Sequence, residues 1–336
     1  MKRYSTVMAS LLMVLFCAVH AEARAEVSEI TLGRANGPTY LPFMVLEHEK
    51  LLEKHIAALG LPVPKVSYKA FAAGAALKDG IVGGQLQIGS GGVPAFLQLW
   101  DKTKGNLKVK ALAGMSLLPM YLNVRDANIK SIADFTPQDR IAVGVVKSAL
   151  QAILIQMAAA KVYGIENFNR LDKQTVGLAL PDAMISFTSG KGDITADFTI
   201  PPYHYQEIKQ PGVRTLIDST EILGGPSTAI VIFAPTKFHD ENPKTIQAFY
   251  AAYKEALDLI DRDKRKAAEI YLNVSRVKTS IDEVQSILED PKNGYSIAPK
   301  NMMKYANFMH QVGELETKPS LSDMFFSSNP QALAGN

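Results

Sequence analysis

From residue 30 onward the chain alternates short β-type runs with helix-type runs, and this constrains the fold more than any other feature. Such alternation marks βα units, which build largely parallel sheets covered by helices. Ile30-Thr31-Leu32 reads as the first strand and Asn36-Gly37-Pro38-Thr39-Tyr40 as the loop after it. Leu41, Met44, Val45, Leu52, Ile56 and Leu59 then recur at about the 3.6-residue period of one helix, with Pro42 near its start and Gly60 as its stop. Val63 to Ala70 is the second strand, Ala75 to Val82 a helix, Leu86 to Ile88 a short third strand, and Pro94 to Trp100 the next helix.

Leu107 to Val124 reads as two extended pieces, because Leu117-Leu118-Pro119 interrupts any helix between them. Beyond it the cycle restarts, with strand Ile141 to Val146, helix Ala149 to Val162, a helix from Pro181 to Thr188 and strand Ile194 to Thr199. Gly224-Gly225-Pro226 precedes the β run Ala229 to Phe233, which is placed to cross back. From Asn242 the pattern is helical: Pro243 to Arg262, Lys264 to Leu272, Ile281 to Leu288 and Pro299 to Val312. The expected fold class is α/β with two lobes, each a mostly parallel sheet flanked by helices. The expected division is residues 26–117 for the first part of lobe 1, 118–229 for lobe 2, and 230–336 for the return to lobe 1 and the C-terminal helices. Two crossings instead of one linker describe a hinge suited to closing over a ligand.

The first 25 residues read as an export signal and not as part of the fold. Lys2 and Arg3 precede an apolar run from Val7 to Val19, and Ala23-Arg24-Ala25 supplies a small-residue cleavage site ahead of Glu26. The run is shorter than the roughly twenty residues a bilayer core requires. Leu15-Phe16 before Cys17 does not match a lipoprotein attachment site, so Cys17 is expected to leave with the signal. That single Cys excludes a disulfide framework and a multi-thiolate zinc site. Loss of Lys2, Arg3 and Arg24 against Glu22 brings the mature chain closer to neutral than the +3 of the full sequence. No polyanion surface or aromatic and basic nucleic-acid platform is present.

In open α/β sheets ligands sit beyond the carboxyl ends of strands, so the loops after strands hold the candidate residues. Gly89-Ser90-Gly91-Gly92-Val93-Pro94 is one: glycines admit close approach of N–H groups, and a helix N-terminus favours an anion or carbonyl. Ser90, Gly91 and Gly92 are candidates there, with a simple tight turn as the alternative. Val145-Val146-Lys147-Ser148-Ala149 is the equivalent step of the second lobe, where Ser148 is either a helix cap or a ligand hydroxyl. In Ala196-Asp197-Phe198-Thr199-Ile200-Pro201-Pro202-Tyr203, Asp197 is either a partner for a ligand amine or ring N–H, or a surface acid, and Phe198 and Thr199 stand beside it. Asn36, Thr39, Tyr40 and Met115 complete the expected cleft.

Catalytic arrangements find little support in the sequence. His48, His55, His204, His239 and His310 form neither H-E-x-x-H nor a closely spaced His pair, and Gly89-Ser90-Gly91 is not a nucleophile elbow. Ser275 to Lys278 matches S-x-x-K without the S-D-N and K-T-G that accompany it in β-lactamases. Asp258 to Glu269 reads as a solvated helix face.

Taken together, the motifs resemble the nitrate/sulfonate/taurine and thiamine-pyrimidine class of ABC-transporter periplasmic substrate-binding proteins. The resemblance rests on the export signal, Leu41-Pro42-Phe43-Met44, Gly84-Gln85-Leu86-Gln87-Ile88-Gly89 running into Ser90-Gly91-Gly92-Val93-Pro94, and Gly192-Asp193-Ile194-Thr195-Ala196. Leu223-Gly224-Gly225-Pro226-Ser227-Thr228 and the tail from Lys318-Pro319 to Asp323-Met324-Phe325-Phe326 extend it over nearly the whole mature chain. It implies a type II periplasmic binding fold and a monomeric receptor, without cofactor or metal, that hands a small solute to an inner-membrane ABC permease. Carried over by position, it implies ligand contacts at Ser90, Gly91, Gly92, Ser148, the residues after Ala196, and Thr228 near the hinge. The sequence departs from the class at Thr195, where an Asp is common, at Asp197, where an aromatic residue is common, and in having no Arg in the three loops. Alternatives from other classes are a pyrimidine-synthase-like enzyme on the same fold, which needs a reactive His in the cleft, and an exported subunit presenting ligand to a membrane sensor.

Overall fold

A computed structural model describes residues 26–71, 74–190, 192–328 and 331. The expected export signal over residues 1–25, Cys17 included, lies outside the described residues. Ten strands form two sheets on which the helices pack. The first sheet begins with β1 (Glu29–Arg34), followed by α1 (Leu41–Glu49), α2 (Leu51–Ala58), β2 (Lys65–Ala70), α3 (Gly74–Val82), β3 (Gly89–Gly92), α4 (Val93–Lys102) and β4 (Val109–Ser116). The chain then enters the second sheet as β5 (Tyr121–Val124). It continues through β6 (Ile141–Val143), α5 (Leu150–Tyr163), β7 (Thr175–Gly177), α6 (Leu180–Ser189), β8 (Ala196–Thr199), α7 (Tyr203–Glu207), β9 (Arg214–Asp218) and α8 (Ser219–Leu223). It returns as β10 (Ile230–Pro235) and ends in α9 (Thr236–Glu241), α10 (Pro243–Arg262), α11 (Lys264–Ser275), α12 (Ile281–Glu289), α13 (Met302–Gln311) and α14 (Leu321–Met324).

The two sheets share one topology. The second has the order β7-β6-β8-β5-β9. The first has β2-β1 and β3-β10-β4, joined where Leu32 bridges Ile88 in parallel and Gly33 N–H donates to Ile88 O at 2.8 Å. β1 with β2, and β6 with β7 and β8, are parallel, as short βα units require. Every antiparallel pair contains β10 or β5, the strands that arrive from the other sheet.

Two local departures from the sequence reading have clear causes. The expected helix over Leu41 to Leu59 is two helices, because Lys50 adopts φ 52° and ψ 42°. The break lets Leu46 on one side and Leu51 and Leu52 on the other all be buried. The second departure is at Gly89–Gly92, expected as a loop after a strand at Leu86 to Ile88; these glycines are themselves strand β3, paired with β10. Gly89 is required because Phe233 of β10 occupies the space: a Cβ there would lie 2.6 Å from its ring. Phe96 of α4 packs against the same ring at a centroid distance of 5.7 Å.

The longest helix, α10, buries Ile246, Phe249, Tyr253, Ala256 and Ile260 along one face, spaced alternately three and four residues apart. Tyr253 Oη reaches Gly114 O of β4 at 3.0 Å, and Phe249 meets Phe43 of α1 edge to face. Residues 294–300, between α12 and α13, run along the start of both crossings: Leu117 N–H donates to Gly294 O at 2.8 Å and Thr228 N–H to Lys300 O at 2.9 Å. No helix among the described residues is long and apolar enough to cross a membrane.

Candidate functional site

The strand registers locate the cleft. At the end of β4, Ser116 pairs with Ile230 at the start of β10, and Ile230 also pairs with Gly92 at the end of β3. In the second sheet Tyr121, at the start of β5, pairs with Thr199 at the end of β8 and with Asp218 at the end of β9. Both passages between the sheets therefore join one carboxyl edge to the other. From Ser116 to Tyr121 the chain can span at most about 18 Å, so the two carboxyl edges face each other at close range.

From the first edge project Asn36 and Gly37, followed by Thr39 and Tyr40 in a single 3₁₀ turn. From the second project residues 144–149, after β6, and 178–179, after β7. Leu178 N–H donates to Val143 O at 2.9 Å and Ala149 N–H to Val145 O at 3.0 Å, so both loops are tied to their strands. Val145 and Val146 are half exposed there, which leaves apolar surface open to the cleft.

Helices α4, α5 and α6 start from these loops with Gly92, Ala149 and Ala179 as N-caps, and no side chain closes any of the three first turns. Side-chain caps occur elsewhere, from Asp218 on α8, Asp263 on α11 and Ser280 on α12. An uncapped first turn leaves N–H groups without intrahelical partners and carries about half a positive charge. The offer is weaker at α4, where Val93 N–H is already taken by Ala229 O at 3.1 Å and Pro94 has none. At α5 the first-turn N–H groups of Leu150, Gln151 and Ala152 remain for a ligand, and no acid competes in that turn.

Two buried polar side chains stand at these edges with no hydrogen bond among the described residues. Thr39 on the first edge is 2% exposed and Gln151 in the first turn of α5 is 7% exposed. The Gln151 amide packs beside Gly144, where a Cβ would lie 3.7 Å from Oε1. Their polar atoms are not among the fully enclosed atoms without partners, so both side chains keep an opening to solvent at the two walls of the cleft. Gln151 was missed in the sequence because a Gln inside an apolar helix reads as core; its position in the first turn was the available signal.

The other expected residues fall into three groups. Asn36 is exposed at the first edge, Tyr40 is buried beside Thr39, and Gly92 ends β3. Ser148 lies half-buried in the loop before α5; the cap position belongs to Ala149, so Ser148 is not the helix cap. Ser90 and Gly91 lie inside β3, and the Ser90 hydroxyl donates to Gly33 O at 2.8 Å, so it joins strand to strand. Met115 is fully buried in β4 and Thr228 is buried in the second crossing, its Oγ1 accepting from Lys300 N–H at 2.9 Å.

The third strand-end segment needs correction. Asp197, Phe198 and Thr199 are not displayed on a loop; they are the body of β8 and are buried on both of its faces. Phe198 enters the apolar core. Asp197 and Thr199 turn to the opposite face, where Asn123, opposite Asp197 in the register, donates to Glu207 of α7. Asp197 is thus neither a surface acid nor a free partner for a ligand amine. His204 on the same helix stacks on Tyr121 at 3.6 Å and its Nδ1 lies 3.3 Å from Asn123 Nδ2. Burial, with the Lys292 charge, pushes His204 down to about 4, so it is neutral and enclosed.

A cavity of about 420 Å³ lies at the crossings, lined by Leu117, Thr220, Pro226, Lys292, Asn293 and Lys300. It lies beside the two crossings and shares no residue with residues 36–40, 144–149 or 178–179.

This architecture, two sheets of one topology facing each other by their carboxyl edges, is that of the two-lobed periplasmic binding proteins. The chain belongs to the NMT1-like family, whose model matches residues 23–273. It is similar in fold to the periplasmic aliphatic sulphonate-binding protein SsuA from Escherichia coli, at 18% identity over 90% of this chain and 92% of that one, with a TM-score of 0.69. The alkanesulfonate-binding protein SsuA from Xanthomonas axonopodis pv. citri bound to MOPS gives 16% identity, 90% and 99% coverage and a TM-score of 0.70. The periplasmic nitrate-binding protein NrtA from Synechocystis gives 14%, 89% and 84%, and 0.67. No curated protein matches the chain.

Proposed function

We propose that this protein is an exported solute-binding receptor that captures a small organic solute between two closing lobes and delivers it to an ABC permease. In this reading the lobes are residues 26–117 with 230–336, and 118–229, hinged at the two crossings. The observation that carries it is the pair Thr39 and Gln151 on facing edges, largely buried residues whose polar atoms are not enclosed and make no hydrogen bond to the protein among the described residues. A solute bridging them would satisfy both and would be held fully only when the edges close, so closure is driven by binding.

The α5 N-terminus favours an anionic or strongly dipolar group, and Val145 and Val146 favour an apolar body beside it. Sulfonates, as bound by two of the structural neighbours, combine these parts; a zwitterion or a heteroaromatic ring does so as well. A micromolar dissociation constant needs about −8 kcal/mol, within reach of a few charge-assisted bonds and apolar contact. The synthase alternative gains nothing from His204, the histidine nearest a candidate loop, because it is stacked and enclosed.

A thermal-shift panel of alkanesulfonates, taurine, nitrate and pyrimidine precursors tests the reading. A saturating ligand at a thousandfold excess over its dissociation constant should stabilise by about 4 kcal/mol. No shift with any member, together with turnover of one, would replace the receptor reading by an enzymatic one.

A further inference from the structure

Asp197 and Glu207 are among the most completely enclosed acids in the protein, 1% and 0% exposed. They stand on β8 and α7 and are linked through Asn123, which lies opposite Asp197 in the strand register and bonds Glu207. Asn123 Nδ2 donates to Glu207 Oε2 at 2.8 Å, and Thr215 Oγ1 donates to Asn123 Oδ1 at 2.9 Å, which fixes the amide with its nitrogen toward Glu207. Asp197 Oδ2, Glu207 Oε1 and Thr199 Oγ1 are without partners. Two neighbouring carboxylates so enclosed, with no cation beside them, repel each other, and a single proton between Asp197 and Glu207 removes that repulsion and partners the oxygens left open.

The surroundings offer no other neutralisation. On β5, Tyr121 is stacked on His204, and Arg125, just past its end, donates to Phe187 O. On β6 the residue opposite Asp197 is Ala142. On α6 the inward residues are Ala183 and Phe187, with Asp182 exposed. Beyond β9, Asp218 is paired with Lys292 at 3.3 Å. Neither Asp197 nor Glu207 forms an ion pair with a cation among the described residues.

The helix anchored by this pair is also a strap. Tyr205 donates to Asp290, Asn293 Nδ2 donates to Tyr205 Oη at 3.3 Å, and Lys209 Nζ lies 3.7 Å from Glu283 of α12. α12 packs on α11, and α11 on α1 of the first sheet's layer. α7 thus holds the second sheet to elements that belong with the first.

We propose that Asp197 is a positioning residue that keeps its proton at neutral pH, and that through Glu207 this proton fixes α7 and the strap to Asp290, Asn293 and Glu283. Burial foremost, and then the Glu207 charge, push the Asp197 carboxyl up to about 9. When the proton leaves, two adjacent carboxylates repel, α7 is released and the strap between the sheets opens. This goes beyond the receptor reading and needs no ligand, so its failure would leave that reading standing.

The test is hydrogen exchange at residues 203–209 across pH 6 to 10, corrected for intrinsic rates, with infrared detection of protonated carboxyl at pH 7. The wild type should show constant protection to about pH 8 and then lose roughly tenfold per pH unit above the midpoint, as single-proton release requires. Asp197→Asn, whose neutral amide can donate to Glu207, should keep protection at every pH and lack the carboxyl band. Asp197→Ala should lose protection throughout. Identical pH profiles in the wild type and Asp197→Asn, or no protonated carboxyl in the wild type at pH 7, would overturn the proposal.

Discussion

A Cβ at Gly89 would stand 2.6 Å from the ring of Phe233, closer than side-chain carbons approach in folded proteins. The ring lies across β3, and the glycines there serve that packing before they serve any ligand. Gly89→Ala must therefore displace Phe233 and, through it, Phe96. Overpacking of this kind costs about 1–3 kcal/mol. A urea denaturation midpoint lowered to match, with unchanged slope, is the expected outcome; an unchanged midpoint would show that the ring is free to move.

Ser90→Ala removes the 2.8 Å bond to Gly33 O and leaves that carbonyl buried and unpaired at the junction of β1 and β3. The expected loss is about 1 kcal/mol, and up to ~3 if no water replaces the hydroxyl. Equilibrium denaturation checks it.

Thr39→Ala and Gln151→Ala should act on binding without harming the fold, because neither side chain bonds to the protein. Each is expected to weaken the ligand found by the thermal-shift panel by roughly 3- to 10-fold, the worth of one hydrogen bond. Calorimetric titration reads the affinity, and an unchanged melting temperature without ligand confirms the separation.

The Asp197 and Glu207 pair also gives stability a pH dependence of definite sign. Burial raises both carboxyls in the folded state. Their stabilising contribution is complete below the unfolded carboxylate value near 4 and is lost as pH rises toward about 9. The native state binds the extra proton across that window, so stability falls with rising pH. Between pH 6 and 9 the wild-type melting temperature should drop more than that of Asp197→Asn, by roughly 2–4 °C for each kcal/mol removed. Parallel curves would contradict the assignment.

The βα steps were legible in the sequence because period and punctuation agreed: Ile30 to Leu32 with the helical run after Pro42, and Ile141 to Val143 with Leu150 to Tyr163. The two crossings were legible through Leu117-Leu118-Pro119 and Gly224-Gly225-Pro226. Short strands such as Thr175–Gly177 and Arg214–Asp218 were not, since a few half-buried residues carry no period of their own. Lys50 broke the first helix without a Gly or Pro to announce it. In the site, loop positions were readable but side-chain direction was not. Asp197 alternates with Phe198 on one strand, and only the packing of α7 decides that it meets Glu207 rather than solvent. Gln151 is the converse, a polar residue hidden in an apolar run whose exposure to the cleft depends on where α5 begins.

The most direct test of the receptor account is the distance between the two carboxyl edges with and without solute. The only cysteine, Cys17, precedes residue 26, so Asn36→Cys and Val146→Cys in a chain starting at Glu26 place one spin label on each edge with no competing thiol. Pulsed dipolar spectroscopy should show a shorter, narrower distance distribution when the stabilising ligand is added, and no such change in the Thr39→Ala, Gln151→Ala double variant at the same concentration. A distribution that stays the same when the wild type is saturated would contradict closure of the two edges over a solute.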